Sequence, residues 1–316
     1  MTDHRKQVQN GIIYLLPSLV SGLLPVLTLP IFTRILTKED YGALALANMY
    51  AVFMTGIANF GLIFGYERNF FENKDQKSAA GLLYSTLLFV LGMSFLLGLL
   101  TAVFQVPIAK FLMGGSTVYA YLLIWAFVSC SIVNIKNYYL VYFKNKEDAK
   151  SFTWYSVDEI LLGVVLSLWF VAGLRLGAIG LIAGQLVAGL IILLILYVRL
   201  TRILPIEFNV SLLKSSLKIS VPLTPRFFLS VVGNQFDKYL LGLLSSLGGV
   251  GVYSLGQKIG QMVFIYMTAI QNVFNPQVYK RMFDQRDAQK TIGTYLTPFA
   301  YVSVLIGLCI ALFSEE

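Results

Sequence analysis

Apolar positions in this chain fall in long unbroken stretches separated by short polar clusters, at about residues 11–33, 41–65, 79–104, 118–143, 152–174, 177–198, 217–244, 250–276 and 292–313. Each stretch is long enough to cross a hydrocarbon layer, since ~20 helical residues rising ~1.5 Å each span ~30 Å. Barrel strands would alternate polarity over segments of about ten residues, and these stretches do not alternate. Backbone groups in lipid must satisfy one another, which a continuous stretch achieves as a helix. The pattern predicts an all-α polytopic membrane protein with nine transmembrane helices, here spans one to nine.

Composition removes the soluble alternative. Of 316 residues, 57% are hydrophobic and 13% charged, against roughly 45–50% and about 25% in soluble domains. So few charges cannot coat a 35.2 kDa globule, and the surplus apolar surface must face lipid. The net charge of +8 resembles a nucleic-acid footprint only until its placement is considered. Sixteen of the 24 Lys and Arg lie at the N-terminus or in the connections after spans two, four, six and eight. Four, Arg34, Lys38, Lys110 and Arg175, lie in the other connections. Positive residues are retained on the cytoplasmic side, so the N-terminus is expected there, with no nucleic-acid partner. Cys130 and Cys309 sit inside apolar stretches and read as small core residues, without disulfide or zinc spacing. The apolar sequence after Asn10 runs past any plausible cleavage point, so span one is expected to be retained.

Spans one and seven begin on the same side, as parallel repeats require. Pro17 precedes Gly42 in the first and Pro222 precedes Gly251 in the second, at comparable spacing. The longest stretch between spans, about 199–216, falls where a six-helix repeat would end. This divides the chain into an N-terminal six-helix lobe, 1–203, and a C-terminal lobe, 204–316, that holds spans seven to nine, half of a second pseudo-symmetric bundle. By that symmetry three further helices are expected, so the chain reads as a truncation or a short member.

Charges inside spans are costly unless paired or hydrated, which makes each a candidate site. Arg226 lies about nine residues into span seven, just after Pro222 and Pro225, where a broken helix near the midplane would suit a substrate site. A structural Arg paired with an acid is the alternative. Lys258 in span eight shares a depth with Asp237 and Lys238 near the outer end of span seven. That predicts an ion pair joined through the turn at Gly248-Gly249, serving either as a gate or as a static tie. Lys136 in span four shares a depth with Asp158 and Glu159 in span five, and pairing between these helices is the simplest account. Arg34 is expected to anchor the first outer turn through Glu39 or Asp40.

Gly61/Gly65, Gly180/Gly184 and Gly256/Gly260 have the four-residue spacing that lets helices approach closely. Tyr138, Tyr139, Tyr142 and Trp154 are expected to form an interfacial aromatic belt, or else a sugar-stacking face. His4 is the single histidine, and no nucleotide-binding loop, nucleophile elbow or Asp-x-Asp metal motif occurs. No catalytic residue, cofactor or metal is therefore expected.

The stretch Leu29-Pro30-Ile31-Phe32-Thr33-Arg34-Ile35-Leu36-Thr37-Lys38-Glu39-Asp40-Tyr41-Gly42 resembles the first outer turn of Wzx-type polysaccharide flippases, members of the multidrug/oligosaccharidyl-lipid/polysaccharide exporter superfamily. Asn59-Phe60-Gly61-Leu62 with Arg68, Val250-Gly251-Val252-Tyr253 and Asn275-Pro276-Gln277-Val278-Tyr279 are similar to the same family. The resemblance implies two six-helix bundles around a cavity that opens alternately to each side of the membrane. It implies transport of a polyprenyl-(pyro)phosphate-linked oligosaccharide for O-antigen or related lipopolysaccharide assembly, beside a polysaccharide polymerase and its machinery. A cation in span eight also occurs in the related lipid II flippases. Arg226, Lys258 and Lys136 would then meet the phosphates. Two alternatives stand beside it. A cation-coupled drug exporter would be expected to carry an acid in span one, and Gly11 to Thr33 contains none. A polysaccharide-modifying enzyme would be expected to carry a large outer loop, whereas the longest is about 105–117.

Overall fold

The computed structural model describes residues 2–72, 75–261 and the single positions 297, 301, 304, 305 and 308. Most of span nine and the Asn275-Pro276 motif lie outside the described residues. The described residues are helical almost throughout, in the order α1 (Thr2–Phe32), α2 (Lys38–Asn59), α3 (Leu62–Glu72), α4 (Gln76–Leu112), α5 (Tyr121–Asn145), α6 (Ala149–Leu168), α7 (Ala178–Ile203), α8 (Val210–Ser220) and α9 (Thr224–Leu244). A tenth helix, α10, covers 247–261.

By length and hydropathy, four helical segments qualify as membrane spans: Lys38–Asn59, Gln76–Leu112, Ala149–Gly173 and Ala178–Ile203. The other long helices run alongside them in the same bundle, with α1 against α6 and α5 against α2, α4 and α7. Large apolar side chains such as Leu27, Phe95, Val103 and Leu194 stand exposed on the outside, as a lipid-facing surface requires. The protein is a multi-pass membrane protein.

Local chemistry explains where the helices start. Thr37 and Asp40 form a reciprocal capping box on α2, with Thr37 Oγ1 accepting from Asp40 N–H and Asp40 accepting from Thr37 N–H. Asp75, Asp148 and Asn209 cap α4, α6 and α8 without the reciprocal bond, each side chain accepting the N–H three residues on. Span two is not one helix. It breaks where Phe60 (φ 47°) and Gly61 (φ 61°) enter the left-handed region, which is unusual for Phe. The Phe60 carbonyl that this turn frees accepts the Thr224 hydroxyl at 3.0 Å.

Three prolines sit inside α1, at 17, 25 and 30. Pro17 has no N–H to give the Ile13 carbonyl, and Thr153 of α6 donates to that carbonyl instead at 2.9 Å. A kinked helix and its neighbour are thereby joined at the position where the kink removes a bond.

The cation-rich connections gather at one end of the bundle. Lys144 pairs with Glu67 at 2.6 Å and Lys77 with Glu207 at 3.4 Å. Gln76 donates to the Ile203 carbonyl at 2.8 Å. At this basic end α3 and α8 are joined through Asn69 Nδ2 to Ser216 Oγ (2.7 Å) and Gly65 N–H to Ser220 Oγ (3.0 Å). At the opposite end α2 meets α10. A Cβ on Gly42 would lie 1.8 Å from the Leu247 carbonyl oxygen, and one on Gly251 2.0 Å from that of Lys38. Close helix approach is therefore the role of Gly42. Gly65 and Gly184 are similarly crowded by backbone, but a Cβ on Gly256 or Gly260 would meet nothing within 4 Å among the described residues, so there the third glycine pair makes no such contact.

The expected aromatic belt is also corrected. Tyr138, Tyr139 and Tyr142 are buried, and the Tyr138 hydroxyl donates to Asn59 Oδ1. Tyr142 packs edge-on against Phe70 and Phe143. Trp154 alone of the four is exposed. The tyrosines follow the inward stripe of an amphipathic helix, which interfacial position by itself does not reveal.

Candidate functional site: a polar cavity inside the first bundle

Four helices of the first lobe each turn one polar-bearing stripe toward a common space. α1 contributes Ser18, Ser21, Pro25 and Thr28; α5 contributes Ser129, Lys136, Asn137 and Lys144; α6 contributes Ser156, Glu159, Gly163 and Ser167; α7 contributes Leu181 and Gln185. Spacings of three, four and seven residues, with Asn137 beside Lys136 on α5, put each set on one helix face. The space between them is a cavity of about 710 Å³, lined at one end by Phe32, Tyr41 and Lys258. That volume lies within the ~300–1,000 Å³ of small-molecule sites.

The cavity's charges are arranged unequally. Lys136, 4% exposed, pairs with Glu159 across the gap from α5 to α6. Gly189 of α7 lies beside the pair, and a Cβ on it would be in ordinary contact with Glu159 Oε1 at 3.5 Å. Lys144 is neutralised by Glu67 at the basic end. Lys258 has no carboxylate partner among the described residues. Its ammonium stands over the ring of Tyr41, 5.4 Å from the centroid, a cation–π contact that supplies much less than an ion pair. The buried Tyr41 hydroxyl has no hydrogen-bond partner among the described residues. Glu159 is the single carboxylate on the wall among the described residues. The result is a mainly apolar space carrying stripes of hydroxyls, with an internally paired middle and, among the described residues, a cation without a carboxylate partner at its end.

Of the residues expected at a site, Lys136, Glu159 and Lys258 meet in this cavity, and the rest do not line it. Asp158 lies beside the pair but outside the wall and the bridge. Arg226 is exposed and points away from the first bundle. Thr224 bonds Phe60 and Phe228 stacks on Phe53, which turns that face of α9 toward α2; Arg226, about 200° round from Thr224, looks the other way.

The expected Asp237–Lys258 pair is absent. Asp237 accepts the Tyr253 hydroxyl and the Lys238 N–H, and Lys238 Nζ donates to Gln235 at 2.9 Å. The cause is the turn. It falls at 245–246, and Gly248-Gly249 belong to α10, so the residue level with Asp237 becomes Tyr253. Lys258 lies five residues further, about 140° round the helix from Tyr253. Arg34 is exposed and makes no ion pair among the described residues, because Asp40 is already committed to the α2 cap. The hydroxyl stripes and Tyr41 were not singled out beforehand; Ser156, Glu159, Gly163 and Ser167 at helical spacing were the available signal.

Fold and cavity together define a multi-pass helical membrane protein, and comparison specifies the family. The chain matches the family described as "Polysaccharide biosynthesis protein" over residues 7–280, and it belongs to that family. Its fold is similar to that of a solved MATE multidrug transporter, DinF-BH, with a TM-score of 0.68 and 16% identity. That match covers 86% of this chain and 64% of the transporter, so the chain spans less than two thirds of its length. A MATE in complex with MaD3S (TM-score 0.53, 18% identity) is matched over 98% of this chain and 72% of its own. The same scores hold for the outward-facing conformation of a multidrug resistance MATE family transporter of the MOP superfamily, with the same coverage of both chains. These likenesses establish the fold, and they agree with the resemblance to that superfamily. No curated protein matches the chain.

Proposed function

We propose that this protein acts as a flippase for a polyprenyl-(pyro)phosphate-linked oligosaccharide in a bacterial cytoplasmic membrane, with its N-terminus in the cytoplasm. The observation that carries the proposal is the cavity's charge pattern: hydroxyl and amide groups set among apolar walls, a neutralised Lys136–Glu159 pair, and Lys258 without a counter-ion among the described residues. A phosphate is the costliest part of such a substrate to bring into a low-dielectric space, and Lys258 supplies a charge-assisted donor for it. The Tyr41 hydroxyl beside it has hydrogen-bonding capacity to spare. Sugar hydroxyls are matched by the serines of α1, α5 and α6, while the polyprenyl chain stays in lipid. Family membership supports polysaccharide assembly as the setting, with a polymerase as a downstream partner. A cation-coupled exporter is less well suited, because the one acid on the described wall is already paired with Lys136.

The test is complementation of a flippase-deficient strain. Lys258→Ala should abolish surface polysaccharide at normal protein level, and Lys258→Arg should retain part of it. Normal polysaccharide from Lys258→Ala refutes the proposed role. Cysteine labelling at the exposed positions 110 and 146 tests the orientation: reaction of the 146 site alone from outside intact cells inverts it.

A further inference from the structure

A second depression lies outside the cavity, on the outer face of α6 between the basic ends of α1 and α7. It encloses about 380 Å³ and is lined by Ile13 of α1, by Lys150, Ser151, Trp154 and Tyr155 of α6, and by Arg199 of α7. The transport reading makes no use of it.

Arg199 is held in place with care. Nη1 donates to the Tyr155 hydroxyl at 2.8 Å and Nη2 to Ser151 Oγ at 3.1 Å. Its guanidinium stands 5.0 Å from the Phe143 ring centroid and 5.5 Å from that of Tyr155. These contacts fix its plane and use two of the five N–H donors that a guanidinium carries. No carboxylate pairs with it among the described residues. The nearest acid along α6, Asp148, is spent on the helix cap, accepting Ser151 N–H at 3.0 Å. Asp158 lies deeper and does not line the depression. Lys150, exposed, adds a second cation at the rim, and Trp154 presents a 69% exposed indole beside it.

Two cations that pair with no carboxylate among the described residues, an exposed Trp, and an apolar helix face that continues through the exposed Leu161 and Val165 describe the chemistry of a bilayer interface. We propose that this depression binds the headgroup of an anionic phospholipid. The phosphate would sit on Arg199 and Lys150, and the acyl chains would run along α6 past Trp154. The preoriented guanidinium offers a phosphate two parallel donors, which zwitterionic headgroups shield with their own ammonium. Such a lipid would brace the inner ends of α5, α6 and α7, which Arg199 already ties together.

Native mass spectrometry of the full chain in neutral detergent tests this, with phosphatidylglycerol and phosphatidylcholine of matched chains as probes. Phosphatidylglycerol should bind about tenfold more tightly than phosphatidylcholine, and Arg199→Gln should remove about that factor for the anionic lipid alone. Lys150→Gln, at an exposed position whose loss leaves the fold intact, should weaken phosphatidylglycerol by a smaller factor. Unchanged phosphatidylglycerol affinity in both variants overturns the proposal, even where Arg199→Gln lowers the melting temperature, because Arg199 is then a tie between helices and nothing more. Displacement of phosphatidylglycerol by an equal concentration of inorganic phosphate also overturns it, in favour of a soluble-anion site.

Discussion

Removing one member of the Lys136–Glu159 pair should cost this protein far more than removing both. The side chains are 5% and 13% exposed, and the pair stands between α5 and α6 inside the bundle. Glu159→Gln would leave an ammonium, and Lys136→Met a carboxylate, buried without a partner. Breaking a buried pair in this way costs about 3–5 kcal/mol, whereas replacing both partners with uncharged side chains of similar size is often neutral or stabilising. The Lys144–Glu67 bridge, 47% and 32% exposed, is the internal control, with an expected loss of about 0–1 kcal/mol. The assay is thermal unfolding of the full chain in neutral detergent, followed by tryptophan fluorescence across the four members of each double-mutant cycle. The Lys136/Glu159 cycle should give a coupling of at least about 2 kcal/mol, and the control should give near zero. Single variants at 136 and 159 that each cost under about 1 kcal/mol, or that add without coupling in the double variant, would refute the reasoning and show that water reaches the pair.

Three further outcomes follow from individual contacts. Gly42→Ala and Gly251→Ala should each lower the melting temperature, by a loss of about 1–3 kcal/mol, since the new methyl meets a backbone carbonyl that cannot move aside; Gly256→Ala, facing open space, should be tolerated. Thr153→Val should cost about 1–2 kcal/mol by orphaning the Ile13 carbonyl, and Pro17→Ala in the same chain should recover most of that by restoring the missing N–H. Asp75, outside the spans, has its carboxyl held below the ordinary 3.8 because it accepts the Ser78 N–H at the α4 cap. Its folded-state pKa is depressed, so its stabilising contribution is present above pH 3.8 and fades as pH falls through the lower folded value; the gap in melting temperature between wild type and Asp75→Ala should close on acidification.

The apolar stretches and the cation distribution were legible in the chain because each acts locally or through solvent alone. A run of apolar residues partitions into lipid whatever its neighbours are. Lys136 and Glu159 could be matched by depth because both helices run straight between short connections. Arg226 and Asp237 could not. Their surroundings depend on which way α9 is turned and on whether the chain reverses at 245–246 or at 248–249, and a shift of about three residues rotates a helix by nearly a full turn.

The sequence by itself determined that this is a helical membrane protein, where most helices begin, and that charge is scarce inside them. Which stripe of each helix faces its neighbours was decided only in the tertiary structure. Facing is a collective property. Gly42 against Leu247, Asn69 against Ser216 and Thr153 against the Ile13 carbonyl lock helices far apart in the chain, and together they turn the serines of α1, α5 and α6 toward one another. In lipid, where apolar burial gives no preference between faces, close packing and hydrogen bonding make that choice, and neither is written in any single stretch.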